Sequence, residues 1–342
     1  MGDRASGRIG RRRGLGAPLA AASRAPLVAL LLAAVAWGQS AGGSAAPPPR
    51  PPGAAPTSVS APTASLAAPL LVLPFDNQST DGNLDWIGEG VAEAVHDALL
   101  ADGQAVLNRK ERAEAFDQTG IPLLTTLSQA TLIAVADDVD ASWLITGAYN
   151  YRPPALPPPA ANGVADVSSA APATAGRFTL SATLINLRGE HLVRVSAPPG
   201  RLRDLEALEA RLAWQVLRQV DPDTTLTAAQ IEARQQRVAL PAYENYIRGL
   251  VAGEPTAKLK YFLAAVRLQP DYSRAIYHAG LWYFDNDDYK TALLWLPKVH
   301  ADDPDYPQAL FLAGQAAYEL GDYRRAAAFN QTLAAQWPLP QV

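Results

Sequence analysis

Leu70-Leu71-Val72-Leu73 is a continuous apolar run, the pattern of a short strand buried on both faces. The polar, turn-rich stretch 76–83 follows. Ile87, Val91, Ala94, Val95, Ala98 and Leu99 then recur at helical spacing, with Glu89, Glu93 and Asp97 opposite and Asp85 at the N-cap position. A short strand is predicted at Ala105-Val106-Leu107. Helices are predicted over Arg109 to Phe116, stopped near Gly120, and from about Leu127 to Ala136. The next strand is Trp143 to Tyr149. In its partner, Phe178, Leu180, Ala182 and Leu184 alternate with Thr179, Ser181 and Thr183, so one face meets water. Arg188-Gly189-Glu190 turns the chain into Leu192 to Ser196, an antiparallel hairpin. Leu205, Leu208, Leu212, Val216 and Val220 form a last helical stripe, closed by Asp221-Pro222. Residues 69–220 therefore read as an α/β domain, a mixed sheet with flanking helices.

The flanks and one insertion have a different composition. Residues 1–40 combine a basic stretch (Arg4, Arg8, Arg11, Arg12, Arg13, Arg24), an apolar run from Pro26 to Trp37, and small residues Gly38 and Ser40 before a cut at Ala41. This is the layout of a secretory signal peptide, and the apolar run is too short for an ordinary spanning helix. An uncleaved, membrane-tethering signal anchor is the alternative. Residues 41–68, with Pro47 to Pro49 and Pro51-Pro52, read as a Pro/Ala-rich linker. Residues 152–176 are rich in Pro, Ala and Ser and read as a disordered, dispensable insert; a docking segment is the less favoured reading.

Composition then narrows the function. With no Cys, disulfides, thiolate metal sites, Cys nucleophiles and a lipid-modified amino-terminal Cys are excluded. Removing residues 1–40 removes six Arg and one Asp; the remainder carries 23 basic and 32 acidic residues, a net charge of −9. That balance speaks against nucleic acid as a partner. The exported chain is expected in the periplasm or cell envelope.

Four segments together resemble the amino-terminal domain of TolB and its FlgO-like relatives in bacterial envelopes. They are Val72-Leu73-Pro74-Phe75 with Asn77 and Ser79, Leu84 to Gly90, Trp143 to Tyr149, and the Arg188-Gly189-Glu190 hairpin. The resemblance covers about 69–220 and implies a recognition and assembly module without known chemistry. The β-propeller of TolB is absent, so TolB's own role does not carry over. Gly88 and Gly90 would let the helix start pack closely on a strand, and Trp86 would cover the sheet edge. A dinucleotide fingerprint fails, because Glu93 stands where a third Gly belongs and Glu89 and Glu93 would repel a pyrophosphate.

Residues 239–342 carry a repeat. Pro270-Asp271-Tyr272 returns as Pro304-Asp305-Tyr306, a spacing of 34, with Pro338 a further 34 on. In the same register Gly280 matches Gly314, Asp288 matches Asp322, Tyr289 matches Tyr323 and Ala292 matches Ala326. This resembles tetratricopeptide (TPR) repeats, about three of them, the first with an irregular inter-helix turn. The resemblance implies an all-α solenoid after the α/β domain. It also implies a groove for a protein or peptide ligand, lined by Arg274, Tyr277, Leu281, Phe284 and Asp285 of the second repeat and Gln308, Phe311, Gln315, Tyr318 and Glu319 of the third. The competing reading has Tyr277 and Phe311 packing on the preceding repeat. No capping helix follows, so Leu310, Ala327 and Leu333 would lack a unit to pack on. The chain then reads as a fragment or as a protein that dimerises through that end, the fragment being favoured.

Chemistry is scarce. His96, His191, His278 and His300 form no metal spacing, and no P-loop or nucleophile elbow is present. Acid pairs such as Asp137/Asp138, Asp287/Asp288 and Asp302/Asp303 read as ordinary turn carboxylates. No cofactor, metal or small-molecule substrate is expected. The favoured reading is a non-catalytic exported scaffold or adaptor with a possible place in an envelope complex. The alternative is an accessory region of a larger enzyme or signalling protein whose catalytic domain lies beyond Val342.

Overall fold

The computed structural model describes residues 68–120, 127–154 and 176–336. The expected signal peptide, nearly all of the linker, Pro338 and most of the insert lie outside these residues. Five strands form a mixed sheet: β1 (Leu70–Val72), β2 (Asp76–Asn77), β3 (Trp143–Arg152), β4 (Arg177–Asn186) and β5 (His191–Ser196). The order is β1-β3-β4-β5, with β1 and β2 both parallel to β3 along one side and β3, β4 and β5 antiparallel. Strand alternation divides the apolar residues between two faces. Leu70, Val72, Trp143, Ile145, Phe178, Leu180 and Leu184 belong to one core, and Leu71, Leu73, Leu144 and Ile185 to another.

The helices follow from that division. Helix α1 (Trp86–Ala101) begins where Gly88 meets the chain leaving β1: a Cβ there would collide with the Phe75 carbonyl, and Phe75 N donates to Gly88 O at 3.0 Å. Its apolar stripe packs into the first core. Helix α2 (Arg109–Thr119) starts on a capping box, Asn108 with Glu111, and ends at Gly120 in left-handed backbone. Together with α3 (Gln129–Asp138), capped by Ser128, it supplies Phe116, Val135 and Ala136 to the second core. Helix α4 (Leu205–Val220) lays Leu205, Leu208, Leu212 and Val216 on the first core.

After the short α5 (Ala228–Arg234), three helical hairpins follow. They are α6 (Leu240–Val251) with α7 (Pro255–Leu268), α8 (Ser273–Asp285) with α9 (Tyr289–Trp295), and α10 (Tyr306–Glu319) with α11 (Tyr323–Gln336). Their geometry is TPR-like and repeats at 34 residues. Asp288 and Asp322 each accept the backbone N–H three residues on, Thr291 and Arg325, at 3.1 Å. The residues before them, Asp287 and Gly321, have φ of 60° and 77°. Ala292 and Ala326 are buried. A Cβ on Gly280 would lie 2.7 Å from Leu296, and one on Gly314 would lie 2.8 Å from Asn330, so both glycines set the inter-helix approach. In the first hairpin Gly249 faces Phe262, 13 residues on instead of 16. The turn itself has the same three-residue length in each hairpin; what differs in the first is that its glycine stands nearer the end of the helix. Pro297 has no N–H to continue α9, whose end becomes the 3₁₀ turn Leu296–Lys298.

Several expectations change. The strand at Ala105 to Leu107 is only a parallel bridge between Leu70 and Val106: both of its backbone hydrogen bonds to β1 go to Leu70. Asp85 makes no side-chain cap; its carboxylate accepts from Asn77 Nδ2 at 2.7 Å. Trp86 packs edge-on against Tyr243 of α6 (centroids 5.8 Å), and Gly90 faces the Tyr243 hydroxyl. Leu310 is buried within the last hairpin, so its packing needs no following unit. Strands β3 and β4 stay paired as far as Arg152 and Arg177, so the proposed insert loses its first residue, Arg152, to the sheet. The first core also runs without a break from the sheet through α1 and α4 into Ile231, Tyr246, Ile247, Phe262, Tyr272 and Ala275. The α/β layer and the first repeats thus bury one apolar interior.

Candidate functional site

The ten residues assigned to a groove separate by helix. On α8 they serve internal packing. Tyr277 is only 8% exposed and shares a cluster with Ala292, Leu296, Leu312 and Ala313, so it is core and its assignment to a groove is corrected. Leu281 and Phe284 are half-buried against the same cluster, and Phe284 meets Tyr289 edge-on at 5.4 Å. Arg274 forms an ion pair with Asp97 of α1. Asp285 is exposed at the end of α8. On α10 the picture differs. Gln308, Phe311, Gln315, Tyr318 and Glu319 fall on one stripe at spacings of three and four. Phe311 and Gln315 are half-buried and the other three exposed. Tyr318 is 55% exposed and meets the exposed Tyr323 edge-on at 5.3 Å, beside exposed Leu320. Tyr318, Leu320 and Tyr323 are thus large side chains left exposed on the last helix pair, beside Phe311, which packs on the repeat core.

A second feature was not foreseen. A cleft of about 160 Å³ opens where α1, α4 and the segment after α5 meet the repeats. Its walls carry Glu93 and Asp97 from α1, Glu206 and Glu209 from α4, and Asp302 and Asp303 from the loop before α10, against Arg234 and Arg274. Tyr243, Tyr246 and Tyr272 also line it. Several backbone amides close the wall: Val238 N donates to Glu206 Oε1 (3.2 Å), Ser273 N to Gln236 Oε1 (3.0 Å) and His300 N to Ser273 Oγ (2.9 Å). The Tyr243 hydroxyl donates to Glu209 Oε2 at 3.2 Å.

Burial and crowding set the electrostatics here. Desolvation, then the charges of Asp97 and Glu89, push Glu93 up to about 7. Desolvation pushes Asp305 up to about 6 despite the nearby Arg274 charge. Glu209 is raised well above the carboxylate range by burial, which the Tyr243 hydrogen bond only partly offsets. Burial would raise Asp97 too, but Arg274 and His96 win and lower it. His278, stacked on Phe262 at 5.1 Å, is pushed down to about 3 by burial and the Arg274 charge. Among the described residues no group of three or more His, Cys, Asp or Glu is placed to hold a metal ion.

The sequence signal for the cleft was the unbalanced spacing of Glu89, Glu93 and Asp97. Like charges at i and i+4 destabilise an isolated helix. Three in a row with no Lys or Arg on α1, only His96 beside Asp97, mean that most of the counter-charges come from elsewhere. They are Arg109 and Arg112 of α2 and Arg274 of α8.

No protein-family model and no curated protein sequence matches the chain. Solved structures with some likeness include the LpoB C-terminal domain from Salmonella enterica, at 16% identity over 42% of this chain and 87% of that one, TM-score 0.26. The MamA protein has 21% identity over 40% and 88%, TM-score 0.26. Lipoprotein GNA1162 from Neisseria meningitidis has 16% identity over 39% and 80%, TM-score 0.26. At such low TM-scores the likeness carries no argument, and the functional reading rests on the geometry above. Among the described residues no helix is long and apolar enough to cross a membrane.

Proposed function

We propose that this chain is a non-catalytic, exported adaptor of the bacterial envelope, whose helical repeats hold a protein or peptide on the α10 face. The observation that carries this reading is the exposed pair Tyr318 and Glu319 beside half-buried Gln315, continued by exposed Tyr323 on α11. Rigid aromatics flanked by polar groups are the composition of a protein-recognition surface: the rings supply apolar area and the polar groups fix register. The α/β region acts as the assembly module that its likeness to the TolB amino-terminal domain implies. What supports that part is a parallel β1–β3 pair followed by an antiparallel hairpin and a covering helix. The basic, apolar and small-residue order of residues 1–40 supports export.

The test is site-specific photo-crosslinking in cells. A photoreactive residue in place of Tyr318 or Gln315 is compared with one in place of Leu192, which is exposed on β5. A discrete adduct from the α10 positions, absent from Leu192 and lost in a Gln308→Ala/Glu319→Ala background, is expected. Equal labelling from all three positions would remove α10 as the recognition face. Amino-terminal sequencing of envelope material checks cleavage near Ser40; a chain still beginning at Met1 in the cytosol would refute export.

A further inference from the structure

We propose that the acidic cleft between α1, α4 and the repeats is a binding site for an organic cation bearing N–H donors, a primary ammonium or a guanidinium of side-chain size. This site is separate from the α10 face and does not depend on it.

Two buried acceptors carry the assignment. Glu209 is 1% exposed, lines the cleft, and its Oε1 has no hydrogen-bond partner. Gln235 lines the same cleft and its Oε1 is likewise unpartnered. Buried polar atoms are almost always satisfied, so two orphaned acceptors in one small space call for a donor from outside the chain. Charge points the same way. Six carboxylates face the cleft against two arginines; Arg274 is already engaged by Asp97, and Arg234 turns its guanidinium to the Ala101 carbonyl. Burial raises both Glu93 and Glu209, with the charges of Asp97 and Glu89 adding to it at Glu93 and that of Glu206 at Glu209, so a cation brought beside them would favour their ionised forms.

Shape and chemistry narrow the class. A volume of about 160 Å³ admits a group the size of a Lys or Arg side chain and is below the usual size of a drug-like ligand site. The carboxylates are spread over three structural elements and form no metal-type cluster among the described residues, which suits a directional, multi-donor cation better than a bare ion. The aromatic wall fits as well. Tyr246 and Tyr272 meet edge-on at 5.2 Å beside Tyr243, and ring faces attract ammonium and guanidinium groups.

Calorimetric titration of the full chain tests this with n-butylammonium and methylguanidinium, against n-butanol as a neutral control and tetramethylammonium as a cation without N–H. Saturable 1:1 binding of the first two, at least tenfold weaker for both controls, is expected. Glu209→Gln keeps shape and an acceptor for Tyr243, and Gln235→Leu removes the second orphan at a half-buried position; each should weaken binding at least tenfold while circular dichroism stays unchanged. Blocked lysine amide and 1,4-diaminobutane distinguish the source: competition by the amide assigns the cleft to a basic side chain of a protein, and competition by the diamine alone assigns it to a free amine. Absence of saturable binding by both N–H cations would overturn the proposal, as would affinity unchanged in both variants. Crosslinking from Tyr318 should be untouched by either substitution, so the two readings fail separately.

Discussion

Glu89 and Arg112 form an ion pair in which each side chain is 6% exposed, joining α1 to α2. Arg112 Nη1 also donates to the Val72 carbonyl of β1 at 3.1 Å, and its Nε has no partner. Arg109, more exposed, gives Glu89 a second hydrogen bond at 2.9 Å. Removing one member of a buried pair strands the other charge and costs about 3–5 kcal/mol, whereas replacing both by apolar groups of similar volume is often neutral or stabilising. The two single losses are unequal here. In Arg112→Met, Glu89 retains Arg109, so a loss near the lower limit, about 3 kcal/mol, is expected. In Glu89→Met, Arg109 can turn to water but Arg112 stays buried with only the Val72 carbonyl, so about 4–5 kcal/mol is expected. The double variant should recover at least about 3 kcal/mol of the summed loss. Urea unfolding followed by circular dichroism, with linear extrapolation, gives all four corners of the cycle. Additive losses, or a larger loss for Arg112→Met than for Glu89→Met, would refute the account of an isolated, desolvated pair.

Three further outcomes follow. Tyr277→Ala should cost about 3–5 kcal/mol in the same urea assay, as a buried aromatic does, and a loss below about 1 kcal/mol would return Tyr277 to the surface. Gly88→Ala should destabilise by about 1–3 kcal/mol or more, since the new methyl meets backbone and not a movable side chain; an unchanged midpoint would refute that close approach. Glu93 should make stability fall as pH rises from the ordinary glutamate range to about 7, because a native carboxyl raised to about 7 holds its proton more tightly than the unfolded chain does, whereas His278, held near 3, acts in the opposite direction up to about 6.5. The Glu93 contribution reaches up to about 3 kcal/mol, Asp305 and the raised His96 act in the same direction, and Glu93→Gln should shift the slope measured between pH 5 and 8 toward rising stability; an unchanged slope would refute the assignment to Glu93.

The repeats were legible because their determinants are local. Asp288 caps a helix three residues away, and Gly280 meets a helix that follows within one hairpin, so spacing alone exposes both. The alternation of β4 was readable for the same reason. The outer face of α1 was not. Glu89 and Asp97 look solvated by helical phase, yet their partners stand 23 and 177 residues further along. Tyr277 lies on the helix face that a groove register assigns to ligand, and only the packing of α10 against α8 shows that this face is interior. Apart from the unbalanced acids of α1, the acidic cleft was hidden for a related reason: its other walls come from segments whose carboxylates look like ordinary helix-end and turn residues when each is read alone.

The apolar interior shared by sheet and solenoid makes α1 the amino-terminal end-stop of the repeat stack. Trp86 against Tyr243, Arg248 bonded to the Asn83 carbonyl and Arg274 held by Asp97 clamp the first two hairpins to it. A stack sealed at one end has a fixed origin. Each later hairpin packs on the one before it, so the direction in which α10 points depends on the seat of α6. Lengthening or shortening the stack by one unit would swing the α10 stripe round the solenoid axis while leaving its chemistry intact, which makes repeat number an aiming device as much as a measure of reach.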